Sequence, residues 1–474
     1  LKHYSRISDI REDLYAGRVT CSDLVDYYLK NIENNAHLNA FLEVWGDESK
    51  ERAAQIDGKI KSGTAGKLAG VVVAIKDNLS YAGHKVSASS KILEGFESIY
   101  TATAVQRLLD EDAIIIGRTN CDEFAMGASN ENSAFGPVRN AANPDKVPGG
   151  SSGGSAVAVQ AKMAHCSLGS DTGGSIRQPA AFCGLYGLKP TYGVISRWGL
   201  LAYASSFDQI GPITKSLDDM VELTSIMAGV DGHDATMIQS PIEYTTPKAP
   251  GKSTFAVMRD AVEGDGISAE IKAKMASLIA TLENQGHTVN YFDFPLLDYM
   301  VPAYYVLTTA EASSNLSRYS GMMYGYRSGN AKDLESTFTL SRTEGFGSEV
   351  KRRIMLGTFV LSSDQYDAYY EKAQKVRRII QEETDAVLLN ADAILLPTTS
   401  TVAFGLGEKA SNPVAMYMAD LLTVQANLAG NPAISIPAGT NEEGLPMGVQ
   451  LMTKRGEDQQ LFDLSRLIEG ALAL

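Results

Sequence analysis

Six short apolar runs punctuate the chain: Val71–Ile75, Ala113–Ile116, Phe255–Met258, Ala393–Leu396, Ala433–Ile436 and Gly448–Met452. They are rich in β-branched residues and lack alternating polar positions, which suits strands covered on both faces. Between them, Ala102–Asp110, Ile267–Gln285 and Tyr366–Leu388 carry apolar residues at helical spacing. Alternating strand and helix predicts an α/β fold built on a central mixed, largely parallel β-sheet flanked by helices.

Residues 1–65 read as a helical segment. Ser8 or Asp9 can cap Ile10–Ala16, Ser22 or Asp23 can cap a helix with Leu24, Tyr27, Tyr28 and Ile32 on one face, and Lys50–Lys61 reads as a solvated helix ending near Gly63. The stretch from about 300 to 375, rich in Tyr, Ser, Arg and Lys, reads as helical and suited to cover one end of the sheet and contact substrate. The Pro-rich segment Gln239–Gly251 runs straight into a strand, so it reads as a crossover inside one domain spanning 1–474.

Composition narrows the function. With 44% hydrophobic and 21% charged residues the chain is too apolar to be disordered. Its 42 Lys+Arg against 56 Asp+Glu give a net charge of −14, which opposes binding a polyanion through the whole surface. Four irregularly spaced cysteines offer neither a disulfide framework nor a CxxC metal site, so no metal is expected and a reducing, cytoplasmic setting is. No run of about 18 apolar residues occurs, and Asp9, Glu12, Asp13 and Asp23 occupy the region a signal peptide would need uncharged.

The 43 glycines cluster, most densely in Val147–Ser155 and Ser170–Pro179. Two glycine-serine loops, each running into an apolar segment, gather backbone N–H groups and hydroxyls that can cradle a phosphate or a developing oxyanion. A phosphate-binding P-loop is disfavoured, because Gly251-Lys252-Ser253 has Thr246 where the first glycine belongs and precedes a strand. Gly149-Gly-Ser-Ser-Gly153 fits the nucleophile elbow G-x-S-x-G, but Asn143–Pro148 is a poor strand to precede it. The downstream histidines are also poor partners: His165 lies in a helix-like apolar stretch, and His233 and His287 follow glycines in turn-like contexts. The same shortage of histidine weighs against a nucleophilic Cys121 or Cys183. A serine nucleophile then needs another base. Lys76 ends the buried run Val71–Ile75, where desolvation lowers an ammonium pKa and lets the amine accept a proton; the alternative is a surface lysine at a strand end.

The segments Gly70-Val-Val-Val-Ala-Ile-Lys-Asp-Asn78, Pro148-Gly-Gly-Ser-Ser-Gly-Gly-Ser155, Asp171-Thr-Gly-Gly-Ser-Ile-Arg-Gln-Pro179 and Phe182–Thr191 resemble, in order and spacing, the amidase signature family. The resemblance implies a Ser-cisSer-Lys triad with Ser175 as nucleophile, Ser151 as the bridging serine and Lys76 as base. It also implies an oxyanion hole of backbone N–H groups around Thr172, Gly173, Gly174 and Ser175.

Further segments, Asp122–Gly127, Asn132–Pro137, Gly345–Thr358, Ala415–Val424 and Ala426–Ser435, are similar to the glutamine-hydrolysing subunits of tRNA-dependent amidotransferases. This implies a glutaminase with no cofactor of its own. Its ammonia would pass to a B subunit that uses ATP and Mg2+ to amidate Glu-tRNA(Gln), held mainly through that partner, and a small C subunit would complete a heterotrimer. Glutamine itself demands one fixed cation for its carboxylate and one fixed anion for its ammonium. The family match offers Arg353 and Asp420, with Tyr304 a further contact and Tyr305 its adjacent rival. The alternatives are a stand-alone hydrolase of another small amide and a catalytically silent scaffold subunit.

Overall fold

In the computed structural model, which describes residues 2–240, 243–409 and 412–473, eleven strands form a single sheet. They are β1 (Phe41–Val44), β2 (Val72–Lys76), β3 (Ile114–Thr119), β4 (Cys166–Asp171), β5 (Tyr186–Lys189), β6 (Gln209–Thr214), β7 (Thr254–Met258), β8 (Thr288–Phe292), β9 (Ala393–Pro397), β10 (Ala433–Thr440) and β11 (Pro446–Met452). Their order is β1-β3-β2-β4-β6-β5-β10-β11-β9-β7-β8. Pairing is parallel in β3-β2-β4 and in β9-β7-β8, and antiparallel through the middle, so the sheet is mixed and helices cover it.

All six apolar runs are strands, and their side chains explain the missing polar positions. Val72, Ala74, Ile114 and Ile116 pack into one cluster with Leu24, Tyr28, Ile56 and Val157, whereas Val73, Ile75 and Ile115 pack into another with Val105, Leu108 and Leu223. Side chains alternate faces along a strand, so a strand covered on both faces must be apolar throughout. By the same alternation Lys76 falls on the face of Val72 and Ala74, where the buried helix Gly153–Gln160 packs.

Five strands were not evident from the hydrophobic pattern. β1 interrupts the helical reading of residues 1–65, being half-exposed and only four residues long. β4 contains Ser167, Gly169 and Ser170, which hide a strand inside a stretch read as helix-like around His165. Helix boundaries also differ. Thr20, not Ser22 or Asp23, caps Cys21–Asn34, in a capping box with Asp23, and Ile7–Tyr15 starts without a side-chain cap. The helix Gly46–Ser62 ends where Gly63 turns left-handed at φ 73.

From 297 to 389 the chain forms the helices Leu297–Asn315, Leu334–Gly345, Ser348–Val360 and Lys372–Leu389. The segment Gln239–Gly251 leads into β7, although Pro241 and Ile242 within it lie outside the described residues. Among the described residues no helix is long and apolar enough to cross a membrane.

Candidate active site

The parallel pairing of β2 with β4 brings their carboxyl ends to one edge of the sheet, the edge at which open α/β sheets carry their sites. Lys76 closes β2 there and Asp171 closes β4. The loop Thr172–Ile176 then turns into the buried helix Arg177–Cys183. Ser151 and Ser152 precede the helix Gly153–Gln160, and the Gly150–Ser151 peptide bond is cis.

Lys76 is fully buried. Its Nζ lies 2.7 Å from Ser151 Oγ, 3.0 Å from Ser152 Oγ and 2.9 Å from Ser170 Oγ. These partners are hydroxyls, and Lys76 forms no salt bridge among the described residues. Burial pushes its amine down to about 8, partly opposed by the charges of Asp122, Asp171 and Asp208 and by Cys121. The lysine is therefore a buried amine that titrates near neutrality, not a surface cap on a strand end.

Ser175 is joined to this platform through the backbone, where the Ser152 N–H donates to the Ser175 carbonyl at 3.1 Å. Its hydroxyl makes no hydrogen bond among the described residues, so the chain of hydroxyl contacts from Lys76 ends at Ser151. Apo catalytic hydrogen bonds commonly tighten only when substrate is bound. Gly150 has room for no side chain, because a Cβ there would lie 2.1 Å from Asp122 Oδ2.

The shape of the glycine loop is set from behind. Asp171 receives Arg177 through Nε and Nη2, each at 3.0 Å, and also receives the Gly174 N–H at 2.9 Å and Asn427 Nδ2 at 2.9 Å. Arg177 in turn donates to the Thr423 carbonyl and to Asn427 Oδ1. Burial disfavours the Asp171 carboxylate, but the Arg177 guanidinium outweighs it and holds the group well below the usual range. A paired, fully hydrogen-bonded buried charge of this kind is costly to break from one side.

Of the four N–H groups that the family resemblance implies as oxyanion donors, that of Gly174 is engaged by Asp171. Gly174 sits at φ +132, and a Cβ there would meet Thr423 Oγ1 at 2.2 Å, so glycine is required both by backbone and by space.

Arg353 and Asp420 are both buried and are linked through Tyr305. Arg353, in the helix Ser348–Val360, donates through Nε to Glu349 at 2.8 Å and through Nη1 to the Tyr203 hydroxyl at 2.8 Å. Its Nη2 makes no hydrogen bond among the described residues. The Tyr305 and Tyr417 rings, stacked 4.0 Å apart, lie 5.0 and 5.5 Å from the guanidinium. The Tyr305 hydroxyl donates to Asp420 at 3.0 Å, and burial pushes the Asp420 carboxyl up to about 7. The single Thr423 hydroxyl proton is shared between the Gly173 carbonyl at 2.6 Å and the Asp420 carbonyl at 3.0 Å, so the backbone of Asp420 is tied to the glycine loop. Tyr304 lies over that loop, since a Cβ on Gly173 would sit 2.6 Å from its hydroxyl. The two tyrosines thus take different places, Tyr304 at Gly173 and Tyr305 at Asp420.

The histidines are engaged elsewhere. His165 pairs with Asp219 at 2.8 Å, His233 stacks on Trp198, and His287 accepts from the Ser253 N–H. Ser151 follows no strand, which removes the nucleophile-elbow reading. Sequence reasoning did not single out Ser152, Ser170, Tyr203, Glu349 or Thr423. All but Ser170 and Tyr203 stand inside the segments that carry the family resemblance, but what each one touches is a property of the fold.

A sheet edge that gathers a buried lysine, a row of serine hydroxyls and a glycine-rich loop carries the kinds of group that amide-cleaving α/β enzymes use. The family described as Amidase matches residues 23–462, and the chain belongs to it. Among its relatives, the A subunit of glutamyl-tRNA(Gln) amidotransferase from Chlorobium phaeobacteroides (strain DSM 266) is 46% identical over 475 residues, covering 99% of this chain and 100% of that protein. The protein of the same name from Chlorobaculum tepidum is 47% identical, with 97% of each chain covered. The crystal structure of the A subunit of glutamyl-tRNA(Gln) amidotransferase from Thermotoga maritima superposes with a TM-score of 0.79 at 40% identity, covering 95% of this chain and 91% of that one. Native peptide amidase from Stenotrophomonas maltophilia gives 0.82 at 27% identity, covering 99% and 97%.

Proposed function

We propose that this chain is the glutaminase subunit of a tRNA-dependent amidotransferase, releasing ammonia from glutamine through a glutamyl-enzyme. In this reading Ser175 Oγ attacks the side-chain amide carbon while its proton passes through Ser151 to neutral Lys76. The oxyanion is received by backbone N–H groups of the glycine loop. The proton returns through Ser151 to the leaving nitrogen, the C–N bond breaks, ammonia departs, and water clears the ester.

The observation that carries the substrate choice is the buried pair Arg353 and Asp420, opposite charges connected through Tyr305 beside the glycine loop. A small molecule bearing both a carboxylate and an ammonium can engage the Arg353 Nη2 and the Asp420 carboxylate together, whereas a simple amide offers a charge to neither. The full-length relatives support the larger assembly, in which B and C subunits join this chain and ATP and Mg2+ act on the partner with Glu-tRNA(Gln). A net charge of −14 suits a subunit that leaves the tRNA to its partner.

The test is glutamine-dependent conversion of Glu-tRNA(Gln) to Gln-tRNA(Gln) by this chain with and without candidate B and C subunits. Preference for unrelated small amides over glutamine in the isolated chain would instead identify a stand-alone amidase. Arg353→Ala is expected to raise the glutamine KM by about 10- to 100-fold, the worth of a lost charge-assisted hydrogen bond. An unchanged KM in steady-state ammonia release would refute the clamp.

A further inference from the structure

Asp208 is a buried carboxylate that the proposed chemistry does not use. It stands immediately before β6, which pairs with β4 so that Gln209 lies opposite Asp171. That register sets Asp208 beside Thr172, the first residue of the glycine loop. Asp208 Oδ1 accepts from the Thr172 hydroxyl at 2.9 Å. Oδ2 accepts from the Tyr203 and Ala204 N–H groups at 2.9 and 3.0 Å.

Tyr203 extends the connection to the other half of the site. Its hydroxyl receives Arg353 Nη1 at 2.8 Å and donates to Thr308 Oγ1 at 3.0 Å, and Thr308 donates to the Tyr304 carbonyl at 2.8 Å. One carboxylate therefore grips the loop of oxyanion donors with one oxygen and the backbone of the tyrosine seated on the clamp arginine with the other.

We propose that Asp208 is a positioning residue that fixes the oxyanion loop and the arginine of the substrate pocket relative to each other, through Thr172 on one side and Tyr203 on the other. Its three donors are neutral and no salt bridge reaches it among the described residues, so burial pushes the carboxyl up to about 7. Burying an acid without a cation is unfavourable, and a turn alone needs no such group. Two oxygens accepting in opposite directions are what a link between two elements requires. The arginine arm rests on the glutaminase reading; the Thr172 arm does not.

The experiment measures two quantities on the purified full chain. One is the rate of Ser175 labelling by a fluorophosphonate, which needs no glutamine; the other is kcat and KM for glutamine. Asp208→Ala should slow labelling about tenfold or more, because the oxyanion donors lose their placement. It should also raise the glutamine KM about tenfold, as the arginine loses its seat. Asp208→Asn keeps the shape and one acceptor, and the Thr172 hydroxyl can turn to receive the new amide, so both quantities should recover most of the way. A role in folding alone would not divide between the arms: Thr172→Val should slow labelling with KM unchanged, and Tyr203→Phe should raise KM with labelling unchanged.

Those two variants decide the matter if Asp208→Ala does not fold. Wild-type values of both quantities in folded Asp208→Ala overturn the proposal, as does a change in only one of them. Silence of both Thr172→Val and Tyr203→Phe overturns it as well. A chain that labels at Ser175 but does not hydrolyse glutamine with its B and C subunits present refutes the glutaminase reading, and the labelling rates of Asp208→Ala and Thr172→Val still judge the Thr172 arm.

Discussion

Ser175→Ala is expected to lower amide turnover by about 10⁴-fold or more with folding unchanged. Ser151, Ser152 and Ser170 are all but fully buried, whereas Ser175 retains 8% exposure. The loss should be large because the reaction in this reading passes through a covalent bond to the Ser175 hydroxyl, which alanine cannot form. Folding should survive because the Ser175 hydroxyl has no hydrogen-bond partner among the described residues, so alanine strands no buried group. The backbone contact from Ser152 to Ser175 does not depend on the side chain. Ammonia release from glutamine, read beside the melting temperature and fluorophosphonate labelling, checks this. Turnover within a few-fold of wild type would move the nucleophile elsewhere.

The sequence was most legible where one physical demand dominates. Val72–Ile75 and Ile114–Ile116 are covered on both faces, which leaves only apolar choices there, and the interruption at Lys76 marked it as an unusual lysine. The glycine loops were legible for the opposite reason, since close approach leaves only glycine at Gly150 and Gly174. β4 was hidden because polar and small residues hold its contacts: Ser167 donates to the Ser155 carbonyl, Ser170 accepts from Lys76 and Gly169 makes room for Ser152, so hydrophobic patterning gives way.

Contacts made across the chain were not legible. Arg177 meets Asn427 and Thr423 about 250 residues away, and Tyr203 meets Arg353 at a separation of 150. No local period encodes such pairs. The assignment of Tyr304 and Tyr305 belongs to this class, because adjacent residues on a helix point about 100° apart and only packing decides which faces the loop. The commitment of the Gly174 N–H to Asp171 is likewise a matter of loop geometry, invisible in the letters Asp-Thr-Gly-Gly-Ser.

Lys76→Ala should lower kcat by about 10³- to 10⁴-fold, the scale of a lost general base, and should also change the pH profile. The amine works as the neutral form, so activity is lost as pH falls through its value of about 8. Asp420 must be ionised to hold the substrate ammonium, and its carboxyl, at about 7 in the free protein, is protonated on the same side. Both groups therefore fail in acid, and kcat/KM, which reports the free enzyme, should steepen toward a two-proton slope below about pH 7. Bound glutamine places its ammonium against Asp420 and keeps it ionised, so kcat should show a single-proton limb near 8. The residual turnover of Lys76→Ala should lose the limb near 8 and keep the Asp420 limb in kcat/KM. A profile of kcat that is flat from pH 6 to 9 in the wild-type chain, or a limb near 8 that persists in Lys76→Ala, would remove the lysine from the role of base.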